Sequence, residues 1–116
     1  MCNHKLFYLD IHNIGDITND WHTAVSYDLT DSTYAHDHEL AYSKITNTID
    51  CIIVGRSGGL KPAYYGGVKI HHNAIACYDD GIQADTSTDI YNNDISRGAY
   101  LAQGHPDGIQ IYGSYV

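Results

Sequence analysis

The sequence predicts an all-β solenoid, and three observations carry that reading: a repeated tetrapeptide, a repeated strand opening, and a local apolar period of two. Asp-Gly-Ile-Gln occurs at Asp80-Gly81-Ile82-Gln83 and again at Asp107-Gly108-Ile109-Gln110, 107 − 80 = 27 residues later. Asn-x-Ile opens three segments, at Asn47, Asn73 and Asn93, with offsets of 73 − 47 = 26 and 93 − 73 = 20. Periods in the twenties with one short apolar strand per landmark read as coils of a repeat architecture. Apolar residues alternate in Val68-x-Ile70 and Ile75-x-Cys77, and no segment holds a 3.6-residue stripe over ten residues. Eleven Gly and 13 Asp against the single Glu39 deplete helix formers and supply corners.

Each coil should bend at those corners and stack its inward Ile and Val on the coil below, about 4.8 Å away. The columns expected are Ile49 on Ile75 on Ile95, and an internal amide ladder of Asn47, Asn73 and Asn93. Cys51 and Cys77 share that phase and are expected as adjacent, buried, reduced thiols. At 116 residues the chain has room for one domain of about four coils. Residues 40–116 are expected to form the coils and residues 1–39 an irregular coil or cap carrying Trp21. The strand-like alternation from Gln110 to Val116 suggests part of a longer solenoid, and exposed end strands would allow copies to associate end to end.

From about residue 40 onward the chain resembles the right-handed parallel β-helix proteins, the pectate-lyase-like group of polysaccharide lyases, uronan epimerases, glycoside hydrolases and phage tail spikes. The Asn-x-Ile strands, the Asp-Gly-Ile-Gln strands and the phrase Gly104-His105-Pro106-Asp107-Gly108-Ile109-Gln110 carry the resemblance. It implies a right-handed parallel β-helix, an extracellular or cell-surface setting, and a polysaccharide partner lying in a groove along the solenoid. No particular reaction is implied. The Arg-x-Pro-Arg of pectate lyases, the Gly-His-Gly of polygalacturonases and the Asp-Pro-His of alginate epimerases are all missing, and Tyr78-Asp79-Asp80-Gly81 is only loosely similar to the paired aspartates of polygalacturonases.

A formal net charge of −8 argues against nucleic acid, whose phosphates require a basic footprint. Leu6-Phe7-Tyr8-Leu9 is too short for a signal core or a membrane span, so no membrane partner is expected. Eleven Tyr and Trp21 offer flat faces for sugar rings, and the acids suit Ca²⁺.

Candidate chemistry gathers at the Asp-Gly corners. Aligning the two copies sets Asp80 and Asp107 one coil apart, about 5 Å, where they would hold Ca²⁺, split their pKa values as acid and base on a glycosidic bond, or cap turns. Asp79 and His105 flank them and complete a catalytic group of Asp79, Asp80, His105 and Asp107. Lys69 and His71 share one outward strand face and suit β-elimination from a uronate, as charge neutraliser and base, although solvated outward side chains are the commoner case. Arg97 and Tyr100 in the following loop, with Gln83 and Gln110 on the Asp-Gly strands, complete the substrate-binding candidates. His36-Asp37-His38-Glu39 is expected to be a solvated loop rather than a zinc site, and 55–67 is a candidate groove wall. Three classes remain: a polysaccharide lyase or hydrolase, a non-catalytic carbohydrate-binding or adhesive solenoid, and a structural solenoid.

Overall fold

A computed structural model describes residues 4–14, 22–27, 37–55, 68–84, 88–97 and 107–111. Among the described residues, twelve short strands lie in three sheets of four, and every pairing is parallel. The first sheet is β1 (Lys5–Phe7), β4 (His38–Ala41), β7 (Val68–His71) and β10 (Thr88–Tyr91). The second is β2 (Asp10–His12), β5 (Lys44–Thr46), β8 (Ala74–Cys77) and β11 (Asp94–Arg97). The third is β3 (Thr23–Tyr27), β6 (Asp50–Val54), β9 (Ile82–Ala84) and β12 (Ile109–Ile111). Each coil gives one strand to each sheet, and the fold is a right-handed parallel β-helix of four rungs. Residues 1–39, expected as an irregular coil or cap, supply β1, β2 and β3, one strand of each sheet.

In-register pairing makes the core a set of columns. Leu6, Leu40, Ile70 and Ile90 align in the first sheet; Ile11, Ile45, Ile75 and Ile95 in the second; Val25, Ile52, Ile82 and Ile109 in the third. The middle rungs are sealed: Leu40, Ile45, Ile52, Ile70 and Ile82 are completely buried. Dispersion contacts run along each column as well as across the coil, which favours β-branched side chains of equal shape at each level.

The expected column is corrected at one level: Ile45, not Ile49, pairs with Ile75. Asn47 likewise leaves the predicted ladder. Asn-x-Ile marks two different corners. After the first-sheet strands, the stacked residues are Leu9, Ser43, Asn73 and Asn93, joined by Leu9 N–H to Ser43 Oγ (3.1 Å), Ser43 N–H to Asn73 Oδ1 (3.0 Å) and Asn73 N–H to Asn93 Oδ1 (3.0 Å). Asn47 stands after the second-sheet strand β5, with a φ of 56°, and donates to Asn13 Oδ1 at 3.2 Å.

Cys51 and Cys77 are neighbours, as expected, but are joined in a disulfide rather than reduced. They meet between the second and third sheets with Cα atoms 5.8 Å apart, inside the range a disulfide spans. Gly81 is required by the coil spacing: a Cβ there would sit 2.6 Å from the Gly108 carbonyl oxygen. That close approach explains Gly81, whereas a Cβ at Gly108 would meet Ile95 Cγ2 at an ordinary 3.8 Å.

Ile75→Ala removes a buried side chain from the middle of the second-sheet column and is expected to cost about 2–5 kcal/mol in urea unfolding. An unchanged midpoint would show that the column does not bear on stability.

Candidate functional site

The first sheet presents an outer face made of three rows. Pairing aligns Lys5, Glu39, Lys69 and Asp89 in one row and Phe7, Ala41, His71 and Tyr91 in the next. The third row is the corner that follows: Tyr8, Tyr42, His72 and Asn92, with φ angles of 57°, 54°, 54° and 53°. Asn tolerates this left-handed geometry; aromatic residues rarely adopt it. The corner swings Tyr8, Tyr42 and His72 outward, where they are exposed. Left-handed backbone at bulky side chains costs about 1–3 kcal/mol at each site, strain of a kind that gathers at functional sites.

The rings form a continuous strip along the axis. Tyr8 stacks on Tyr42 (centroids 5.4 Å apart, 16° between planes) and Tyr42 on His72 (5.1 Å, 26°). His71 lies flat on Tyr91 (4.7 Å, 4°). Ala41 carries no ring, and beside it Tyr42 meets Phe7 and His71 edge to face at 6.2 and 5.6 Å.

A polar chain runs through the strip. Lys5 Nζ is 2.9 Å from Glu39 Oε2, Glu39 Oε1 is 2.6 Å from His71 Nε2, and His71 Nδ1 is 2.7 Å from His72 Nδ1. Hydrogen bonds from Lys5 and His71 hold the Glu39 carboxyl below its ordinary value of 4.5, against the opposing effect of its partial burial. Burial first, and then the Glu39 charge, push the Tyr27 phenol up to about 12; its hydroxyl donates to the Glu39 carbonyl at 3.4 Å. Lys69 is exposed on the same face and, among the described residues, makes no ion pair. The segment His36-Asp37-His38-Glu39, expected as a loop, instead turns His38 and Glu39 into strand β4, with the His38 ring buried against Tyr27 at 5.2 Å.

Of the three outcomes open to Asp80 and Asp107 from the sequence, namely holding Ca²⁺, acting as acid and base, or capping turns, the geometry around Asp80 is that of a turn cap. Asp80 is 1% exposed. Its Oδ1 accepts the backbone N–H of Asp107 at 3.1 Å, and Asp50 Oδ1 accepts the Asp80 N–H at 3.5 Å, so each carboxylate caps the turn of the next coil. Gln83 Nε2 donates to the other Asp80 oxygen, while Gln83 Oε1 is buried without a hydrogen-bond partner among the described residues. One oxygen each of Asp50, Asp79 and Asp80 lie within 4.8 Å of one another, a grouping that shares Asp80, but not Asp107, with the metal pair expected from the sequence. Asp79 and Asp107 both line a cavity of about 230 Å³ bounded also by Gly81, Gly108, Ile95 and Ser96. Gln110 stacks on Gln83 in the third sheet. His105, Tyr100 and the Arg97 side chain lie outside the described residues, as do residues 56–67 of the expected groove wall.

Lys69 and His71 are thus brought onto one face, together with Glu39, Tyr42, His72 and Tyr91, none of which the repeated tetrapeptide points to. A signal for them is present in the sequence. Lys5-Leu6-Phe7-Tyr8, Glu39-Leu40-Ala41-Tyr42, Lys69-Ile70-His71-His72 and Asp89-Ile90-Tyr91-Asn92 share a pattern of charge, Leu or Ile, a variable residue, then an aromatic ring or Asn. Its spacings of 34, 30 and 20 residues are irregular, which conceals it from a search for a fixed period. No protein-family model, curated protein or solved structure matches the chain.

Two outcomes follow from this geometry. In Asp80→Asn the side-chain oxygen still caps Asp107, and the Gln83 carboxamide turns to offer its idle oxygen to the new amide. Stability by denaturant unfolding is expected within about 1 kcal/mol of the parent, whereas Asp80→Ala strands two donors and loses about 1–3 kcal/mol. The second concerns acid. Because the folded chain holds Glu39 below its ordinary pKa, its stabilising contribution is complete above that ordinary value of 4.5 and is lost as pH falls through the lower folded value. Glu39→Gln is expected to flatten this acid limb of the stability profile; an unaltered limb would show that the Lys5 and His71 contacts do not form in solution.

Proposed function

We propose that this chain is a polysaccharide-binding β-helix whose ligand, an extended sugar chain, lies along the outer face of the first sheet. The observation that carries the reading is the strip of Phe7, Tyr8, Tyr42 and Tyr91, exposed by 38, 79, 47 and 42%, running across all four rungs with His72 inside it. Three inter-strand steps cover roughly 14 Å, a length that takes several linked sugar rings. Sugar rings offer one C–H face to stack on an aromatic plane and a rim of hydroxyls to hydrogen-bond, and the strip supplies both needs: flat rings, and Lys69, His72 and the tyrosine hydroxyls between them. A purely apolar protein partner would leave those polar groups unpaired.

The capping geometry of Asp50 and Asp80 favours this face over a catalytic centre at the Asp-Gly corners, since an enclosed carboxylate that already accepts backbone and amide hydrogen bonds has little left to offer a substrate. A disulfide between Cys51 and Cys77 accords with an extracellular or cell-surface setting, where such bonds persist.

Titration calorimetry against a panel of neutral and uronate polysaccharides is the test. Tyr42→Ala and Tyr91→Ala are each expected to weaken the binding found for the parent by about 3- to 10-fold while leaving thermal unfolding nearly unchanged, because both rings stand outside the core. Equal affinity in the parent and both variants would reject the strip as the binding surface.

A further inference from the structure

We infer that the strip also holds a divalent metal site, in which the Nδ1 atoms of His71 and His72 are two neighbouring ligands of a tetragonal Cu²⁺ ion and Glu39 is the positioning residue behind them. The inference needs no bound polysaccharide and goes beyond that reading to an inorganic ligand.

Adjacent residues of a strand send their side chains to opposite faces. His71 and His72 depart from that rule because His71 ends β7 and His72 takes the left-handed corner, with a φ of 54°. The corner turns the second ring back beside the first, and the two Nδ1 atoms meet at 2.7 Å. Among the described residues no other rung repeats this: the matching pairs are Phe7 with Tyr8, Ala41 with Tyr42 and Tyr91 with Asn92.

Hydrogen bonding fixes which nitrogens are open to a metal. The ionised Glu39 carboxylate only accepts, so His71 Nε2, 2.6 Å away, carries the hydrogen and His71 Nδ1 the lone pair. A carboxylate on the far ring nitrogen is the arrangement that orients metal-binding imidazoles and raises their basicity. Lys5, 2.9 Å from the other Glu39 oxygen, holds that carboxylate in place. Without metal, His72 Nδ1–H donates to the His71 lone pair. When the ion binds, this hydrogen passes through water to His72 Nε2, neither ring changes charge, and both Nδ1 lone pairs face the metal. His71 is the fixed ligand, 5% exposed and flat on Tyr91. His72 is the exposed one, so the ion enters from its side and completes its coordination with water.

The spacing selects the metal. Two nitrogens about 2.0 Å from one ion stand about 2.8 Å apart at a right angle and about 3.3 Å apart at a tetrahedral one. The observed 2.7 Å matches neighbouring positions of a square-planar or tetragonal ion and is too short for tetrahedral Zn²⁺. Imidazole nitrogens in that geometry suit Cu²⁺ and Ni²⁺, and Cu²⁺ leads the affinity order of the divalent ions. Ca²⁺, which takes oxygen ligands, has no claim on this pair.

The test titrates Cu²⁺ into the whole chain in competition with nitrilotriacetate and reads the bound ion by electron paramagnetic resonance. The parent is expected to bind one equivalent more than His72→Asn, and that equivalent to give an axial signal split by two imidazole nitrogens. Histidines elsewhere contribute equally to both proteins and cancel in the difference. Asn here repeats what Asn92 does one coil on, so the variant is expected to fold, which thermal unfolding without metal checks. Glu39→Gln keeps both ligands and is expected to retain the two-nitrogen signal while binding Cu²⁺ about 10- to 100-fold more weakly, a combination that general damage to the fold would not produce. Equal stoichiometry in parent and His72→Asn, or an affinity in Glu39→Gln equal to the parent's, overturns the site. Polysaccharide titrations are run without metal, so the binding role of the strip stands or falls separately.

Discussion

Parallel, in-register hydrogen bonding between coils is the constraint from which everything else in this molecule follows. Once Ile45 lies opposite Ile75, and Ile75 opposite Ile95, every residue on that sheet has a fixed neighbour above and below. A strand of three or four residues buries little by itself. Stacked in register it contributes to a column, and the column gives the core its continuity. The outer face inherits the same order without having to be apolar, which is how charged and aromatic rows come to lie straight along the axis.

The corners show what keeps that register. After β4, β7 and β10 the chain takes a left-handed residue and then turns a polar side chain inward, and each inward group bonds to the coil next to it: Ser43 Oγ accepts the Leu9 N–H at 3.1 Å, Asn73 Nδ2 donates to the Leu40 carbonyl at 3.0 Å and Asn93 Nδ2 to the Ile70 carbonyl at 2.9 Å. Those carbonyls would otherwise be buried polar groups at a bend, each costly if left alone. A slip by one residue would break every such bond and turn the Leu and Ile columns to solvent. The Asp side chains at the third sheet do the same work with acceptors alone, taking N–H groups of the next coil, whereas the Asn side chains both accept N–H groups and donate to carbonyls.

How much of this was legible in the sequence depends on whether a repeated residue occupies one corner or two. Asp80 and Asp107 stand at equivalent corners, so the tetrapeptide located the third sheet correctly, and with it Ile82 and Ile109. Asn73 and Asn93 also stand at equivalent corners. Asn47 does not: it occupies a left-handed turn position where Asn is favoured for backbone reasons, while Asn73 is chosen for its side-chain bonds, and the sequence writes both as Asn-x-Ile. Fold class was therefore readable and register only partly so. The candidate site was read less well, because its members are drawn from four strands whose spacing is uneven, and because Lys69 and His71 acquire significance only once Glu39 and His72 are seen at their sides. The disulfide was missed for a related reason: Cys51 and Cys77 do not occupy matching positions, and meet only after the chain has rounded a corner.

Unequal coil lengths carry a consequence for how such a chain tolerates change. Successive rungs are 34, 30 and 20 residues apart at the first corner and 30 and 27 apart at the third sheet, yet the strands they deliver stay in register. The scaffold thus counts strands and not residues. Closing a longer connection costs only about 0.6 kcal/mol for each doubling of its length, so segments between strands are free to grow or shrink while the ladder is untouched. Insertions would change what borders the ring strip without moving the rings, which separates the part of the molecule that sets geometry from the part that varies in composition.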